Sequence, residues 1–278
     1  MSPTSTSKAR SRELLAVEVF LPENDDLKNL RSIKPFVSSF FPTVKVDMRP
    51  NIGELVESHD IEAVGSSFAS ARVKDPNTSE QAFEPSYGEL DYERRVLEGD
   101  ARAGGVPYDG RALEDIFSKM LRPKVERATI VLTDRLVSTF SRDDLRHHLR
   151  TVVFGFPSIV SIPGIVEAPA RPREYYIMKQ ELELQGAGDL RIERMKSSFK
   201  GRFIDYGDPR MIEVVKGLVL QAIMFHLLLE PFCERRGCRL FNAHWQEDLV
   251  WSQITSAKLC KKHAKQLSAL SRRPTIAW

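Results

Sequence analysis

All three cysteines of this 278-residue chain fall in one stretch, and a histidine completes the set: Cys233-x4-Cys238, then 21 residues, then Cys260-x2-His263. Two short chelates joined by a spacer are what a tetrahedral zinc site needs. Each pair closes locally, and folding has only to bring the two pairs together. Three sulfurs and an imidazole fill four positions and leave none open for a substrate. The ion would therefore be structural, contributing about 10 kcal/mol or more to folding. The bland alternative is that free cysteines are simply small buried apolar residues. The neighbours speak for metal: PFCERRGCR and KLCKKHAK are strongly charged, and Arg235, Arg236, Arg239, Lys261 and Lys262 would lower the thiol pKa and offset three thiolates.

Other residues could in principle hold a second ion. His226 and Glu230 stand four apart in a helical segment and would share a face, and His244, in NAHWQED with Glu247 and Asp248, could approach them. The structural readings are a buried His226 bonded to a backbone carbonyl or to Glu230, and a His244-Trp245 pair that packs and caps the last helices. His147-His148 sits among charges and reads as a solvated face, and His59 stands alone. Residues 190–210 mix Arg191, Arg194, Lys196, Lys200, Arg202 and Arg210 with Phe199, Phe203 and Tyr206. That mixture can bind single-stranded nucleic acid, but Glu193, Asp205 and Asp208 dilute the charge, so the expectation is a solvated insertion with packing aromatics and no nucleic-acid partner. The lysines of 258–265, with Arg272 and Arg273, read as the exposed face of a final helix.

The elements that would position these groups follow from periodicity. Residues 14–21 and 44–48 read as strands around a helix over 26–41, a unit that favours a parallel pair. Residues 50–85 are polar and irregular. Helices are expected at 92–97 and 111–121, a buried strand at 128–132, a brief helix at 143–149, and one or two strands in 152–162 broken near Gly155 and Pro157. A Pro-rich linker at 167–173 precedes a charged helix over 174–184. Asp208-Pro209 would open a long helix over 209–230 with Asp208 as cap, apolar on nearly every face and so buried in the centre of a domain. Two helices are expected within 244–255 and 257–271. Residues 1–12 read as a disordered basic tail and 13–278 as one domain. The net charge of +3 does not by itself call for nucleic acid or membrane, and the most apolar run, 214–229, is short and interrupted by Lys216 and His226. With no secretory-type start and cysteines better suited to metal than to disulfides, the chain reads as cytosolic, with no membrane span.

The cysteine frame resembles that of the archaemetzincins, zinc peptidases of archaea and vertebrates whose signature is HExxHxxGxxHC-x4-C-x-M followed by C-x2-C. His226-LLLEPF-Cys233-ERRG-Cys238-Arg239-Leu240 is similar to its latter part, with His226 as the second catalytic histidine. Cys260-x2-His263 takes the place of the last pair. TIVLTDRLVSTF, with Thr133 and Asp134, and VVFGFPSIVSI, with Phe154, Gly155 and Ser161, resemble two of the family's strand segments. The resemblance covers about residues 14–267, with apparent insertions near 60–85 and 170–207. It implies a single metzincin-like α/β domain, a small mixed sheet packed against helices with a long buried helix, and a C-terminal structural zinc held by Cys233, Cys238, Cys260 and His263.

The departures bear on function. Ala222 and Ile223 stand where the family has its first histidine and its general base. Phe232, Leu229 and Leu240 replace the third histidine, the glycine and the Met-turn methionine. The family's mechanism needs three imidazoles around a zinc with an open position and a carboxylate to take a proton from the bound water. The expectation is a zinc-binding pseudoenzyme that serves an unidentified protein or peptide partner. The alternative is an active metal-dependent hydrolase with a site rebuilt around His226, Glu230 and His244.

Overall fold

The computed structural model describes residues 14–24, 27–81 and 83–271. The expected tail at 1–12 and Arg272 and Arg273 lie outside these. The strands Ala16–Phe20 (β1), Lys45–Arg49 (β2), Arg127–Thr133 (β4), Val152–Val153 (β7) and Ser158–Ser161 (β8) form one sheet in the order β2-β1-β4-β8-β7. All its pairs are parallel except β7 with β8. A second sheet joins Pro107–Asp109 (β3), Leu136–Ser141 (β5) and Arg146–Arg150 (β6) in the order β3-β5-β6. β4 is the centre of the larger sheet, and its run RATIVLT is apolar on both sides because both faces are covered.

The strand period of two sorts those side chains. Val17, Val19, Ala128, Ile130, Leu132 and Val160 enter the main core, whereas Phe20, Val131 and Ile159 enter a second one. The main core is closed by helices Ile33–Phe40 (α1), Ile162–Glu167 (α5), Met211–Leu228 (α8) and Lys261–Ser271 (α10). The second is closed by helices Ile61–Ser70 (α2), Tyr87–Glu98 (α3) and Gly110–Leu121 (α4). A third, small cluster of Tyr175, Met195, Phe199 and Phe203 holds together helices Arg173–Leu184 (α6) and Asp189–Ser198 (α7). Phe199 and Phe203 are thus packing aromatics as expected of the basic stretch, whereas Tyr206 is exposed. Three of its six cations are paired with acids, Arg202 with Glu174 and Glu247, Lys196 with Glu193, and Arg210 with Asp208.

α8 is apolar and long enough to cross a membrane by length and composition, but most of it is buried within the protein. It begins at Met211, later than expected. Asp208 accepts from the N–H of Arg210 (2.8 Å) and so fastens the turn before the helix. α8 packs on the segment Trp251–Ser256, a π-helical continuation of Gln246–Val250 (α9). Gly217 makes this approach possible. A Cβ there would lie 1.7 Å from Gln253 Oε1, and Gln253 is itself buried and held by the carbonyl of Arg239 (2.8 Å). Gly217→Ala should therefore destabilise the protein by about 1–3 kcal/mol in urea titrations, despite the roughly 1 kcal/mol by which alanine favours a helix.

Three expectations are corrected. Residues 143–149 are not a helix. Leu145 turns the chain in the left-handed region (φ 55°) and β6 pairs antiparallel with β5. His147 is consequently no solvated residue: its side chain is 2% exposed, close to Ser138 Oγ (3.2 Å) and the carbonyl of Thr78 (3.1 Å). His148, exposed and paired with Asp144, does match that reading. The stretch read as irregular contains α2, whose Gly65, Ser66 and Ser67 are weak helix formers but whose Phe68 and Ala69 are buried.

Candidate metal centre and the neighbouring cleft

α8 ends at Leu229, which adopts a left-handed cap (φ 58°), and the chain then runs through Pro231 to Cys233. The N–H of Cys233 donates to the carbonyl of Leu240 and that of Cys238 to the carbonyl of Arg235, which folds 233–240 into a knuckle. Arg239 pairs in turn with Lys258, bringing Cys260 alongside, and His263 follows in the first turn of α10. The ligand atoms of Cys233, Cys238, Cys260 and His263 all lie within 4.8 Å of one another. Cys233 and Cys260 sulfurs are 3.9 Å apart. His263 Nδ1 is 3.6 Å from Cys238 Sγ and 3.3 Å from Cys260 Sγ. A tetrahedral ion with metal–sulfur bonds of about 2.3 Å sets its sulfurs roughly 3.8 Å apart. The donor set and its spacing thus fit zinc.

The charge around these thiols differs from the sequence expectation. Arg236 is bound to Asp248, and Arg239, buried, to Glu213 (2.9 Å). Backbone amides serve instead: Arg235 N–H points at Cys233 Sγ and Cys260 N–H at Cys238 Sγ, both at 3.4 Å. Burial pushes the Cys238 thiol up to about 12. Burial acts the same way on Cys260, but hydrogen bonds from the backbone N–H of His263 and from the neighbouring thiols hold it below its ordinary value. Burial, with Lys262 adding to it, lowers the pKa of His263 and keeps the imidazole neutral, the form that ligates. Cys233 and Cys238 also belong to the main apolar core, so metal and core packing are not alternatives here.

The other nominated residues do not converge. Among the described residues, the group of three or more His, Cys, Asp or Glu side chains with converging ligand atoms is the Cys3His set. His226 is 4% exposed, with Nε2 2.8 Å from the carbonyl of Val125 and its ring edge-on to Phe156. This is the buried, carbonyl-bound histidine of the structural reading. Glu230 does not share its helix face, because the left-handed Leu229 turns the chain away first, and Glu230 is exposed. His244 is exposed on a segment whose backbone, not its side chain, does the fastening: Ala170 N–H donates to the His244 carbonyl. Beside the knuckle opens a cleft of about 750 Å³, into which His244 does reach. Its floor is aromatic. Phe154 packs on Phe225 and Phe232, and Phe156 on Phe225, with centroids 5.3–5.7 Å apart. Arg111, Glu114 and Arg150 stand at its wall. The sequence reading gives none of these a cleft role; Phe225 and Phe232 lie inside the stretch similar to the catalytic motif, and Phe154 and Phe156 in VVFGFPSIVSI.

Residues 17–270 match the model of the "Probable metallopeptidase family (DUF6775)". The chain belongs to this family. No curated protein matches it. Among solved structures it is similar to archaemetzincin from Methanopyrus kandleri, at 14% identity and a TM-score of 0.46, over 96% of this chain and 99% of that one. It is also similar to a zinc-dependent peptidase from Methanocorpusculum labreanum, at 11% identity and a TM-score of 0.39, over 90% and 99%.

The residues that the resemblance sets at the motif positions are apolar and mostly buried. Ala222 and Ile223 are 1% and 0% exposed and belong to the main core. Phe232 lies on the cleft floor, and Leu240 is fully buried. Leu229 caps α8 in a left-handed turn of the kind that suits glycine, and a leucine occupies it. Leu229 is 55% exposed and has little packing to lose. Leu229→Gly should accordingly stabilise the chain by about 1 kcal/mol, read as a raised melting temperature.

Proposed function

We propose that this chain is a zinc-braced, non-hydrolytic member of its metallopeptidase family, and that it uses the cleft beside the brace to bind a protein or peptide segment. The observation that carries the reading is the chemistry at the motif positions. A buried alanine and a buried isoleucine stand where a ligand and a general base are needed, and neither can hold zinc or take a proton. The third ligand position offers a phenyl ring to the cleft floor. His226, the imidazole that remains, is engaged with the Val125 carbonyl.

The zinc in this reading is structural. Cys233, Cys238, Cys260 and His263 would hold it, and what it supplies is closure of the chain after α8 onto α10. Three thiols kept as ligands need a reducing compartment, so we place the protein in the cytosol. The test is incubation of the purified protein with casein and with fluorogenic peptides in the presence of added zinc. No chelator-sensitive cleavage is expected. Cleavage that a chelator removes and that His244→Ala abolishes would instead establish the rebuilt site of His226, Glu230 and His244.

A further inference from the structure

The cleft carries an imbalance of charge that says what it would bind. Arg150, half-buried in its wall, gives its Nε–H to Thr139 Oγ1 (2.7 Å), and it has no carboxylate partner among the described residues. The carboxylate of the cleft is already committed: Glu114 accepts from Arg111 Nη1 (3.0 Å) and from the N–H of Phe156 (3.2 Å). The lining residue His148 is likewise paired with Asp144 (2.7 Å). A guanidinium without a counter-charge therefore stands at the edge of a phenylalanine floor, where reduced hydration strengthens its attraction for an anion. Beside it, the two-residue β7 is the terminal strand of the larger sheet, with β8 on one side and, among the described residues, no strand on the other. A free strand edge next to an apolar pocket is the arrangement used to capture extended peptides, the backbone pairing with the edge and one side chain filling the pocket.

Resting on the binding reading above, we infer that the cleft is selective for an extended acidic peptide, in which an aromatic side chain enters the box of Phe154, Phe156, Phe225 and Phe232 and a neighbouring carboxylate pairs with Arg150. The aromatic residue supplies affinity through area and ring contacts, and the carboxylate supplies selection, since a basic neighbour would meet Arg150 with like charge.

The experiment is fluorescence polarisation with the full chain and three fluorescein-labelled octapeptides of Gly-Ser flanks, centred on Glu-Phe-Glu, Gln-Phe-Gln or Glu-Ala-Glu. The first should bind about tenfold more tightly than the second, the gain of one charge-assisted pair, and this preference should shrink as salt is raised. Replacing the phenylalanine by alanine should weaken binding as well. Arg150→Gln should erase the difference between the Glu and Gln peptides, and Phe232→Ala should weaken both while keeping it. Equal binding of the Glu and Gln peptides, a preference that survives Arg150→Gln, or no binding of any of the three would overturn the inference. Cleavage of a bound peptide during the incubation would contradict the non-hydrolytic reading instead, whatever the order of affinities.

Discussion

Replacing Cys238 with serine should remove the metal and a large part of the folding free energy together. Cys238 is fully buried, its sulfur receives the amide of Cys260, and it sits in the apolar core beside the other ligands. Structural zinc contributes on the order of 10 kcal/mol in small domains, which is comparable to the whole net stability of an ordinary protein. A serine hydroxyl is a poor zinc ligand and leaves a polar group in an apolar setting. The expected result is a substoichiometric zinc content and a broad, strongly lowered melting transition, measured by metal analysis and calorimetry. Cys238→Ala should behave alike, which separates loss of the ligand from the burial of the hydroxyl. Zinc content and melting temperature equal to those of the unaltered chain would remove the brace from the account.

The second large effect is expected far from the metal. Arg135, at the turn between β4 and β5, is wholly buried, with its guanidinium bound to Glu93 through Nη1 and to Glu23 through Nε (3.2 Å). It lies over the rings of Phe68 (4.1 Å) and Tyr108 (4.9 Å). Glu93 is also fully buried and accepts from the Tyr108 hydroxyl (2.6 Å), while Glu23 accepts from Thr133 and from the N–H of Asp134. Burial would discharge the arginine, but the two carboxylates outweigh it and raise its pKa. Arg135→Met keeps most of the volume, gives up the cation over the two rings and strands the Glu93 carboxylate. The expected cost is about 3–5 kcal/mol by urea unfolding, since breaking one half of a buried pair leaves an uncompensated charge. Arg72, 3.9 Å from Glu93, keeps the figure from rising further. Arg135→Met combined with Glu93→Gln should recover half or more of the loss, because the glutamine still accepts from Tyr108 and carries no charge. A double variant no more stable than Arg135→Met would refute the ion-pair explanation.

Local signals made much of this molecule legible in its sequence. The apolar run of β4, the strand-helix-strand start and the all-round apolar α8 each state their place through period and composition, although the helix expected over 26–41 is α-helical only over Ile33–Phe40, because Asn29 turns left-handed (φ 65°) before it. The two cysteine pairs are likewise local, and the knuckle and the first turn of α10 bring them together. What escaped was set by partners distant in the chain. Arg135 meets Glu23 and Glu93 from 112 and 42 residues away, and nothing beside it in sequence predicts burial of a charge. The arginines near the cysteines looked like counter-ions for thiolates until Asp248 and Glu213 claimed two of them. β6 was misread because Arg-His-His-Leu-Arg has no strand pattern of its own and is held by pairing with β5. Glu230 failed as a companion to His226 because the helix stops at a leucine in a conformation that glycine usually announces. The aromatic floor of the cleft, finally, joins residues of the β7–β8 segment to those at the end of α8, two parts of the chain that each look like ordinary core.

A chain with one structural ion and no catalytic one is tested most directly by counting its metal. The 278-residue chain, purified without chelator and dialysed against zinc-containing then metal-free buffer, should carry one zinc per chain by plasma mass spectrometry, with an X-ray absorption spectrum fitted by three sulfurs and one nitrogen. No bound zinc would contradict the brace, and a second, equally retained ion would contradict the loss of the hydrolytic centre.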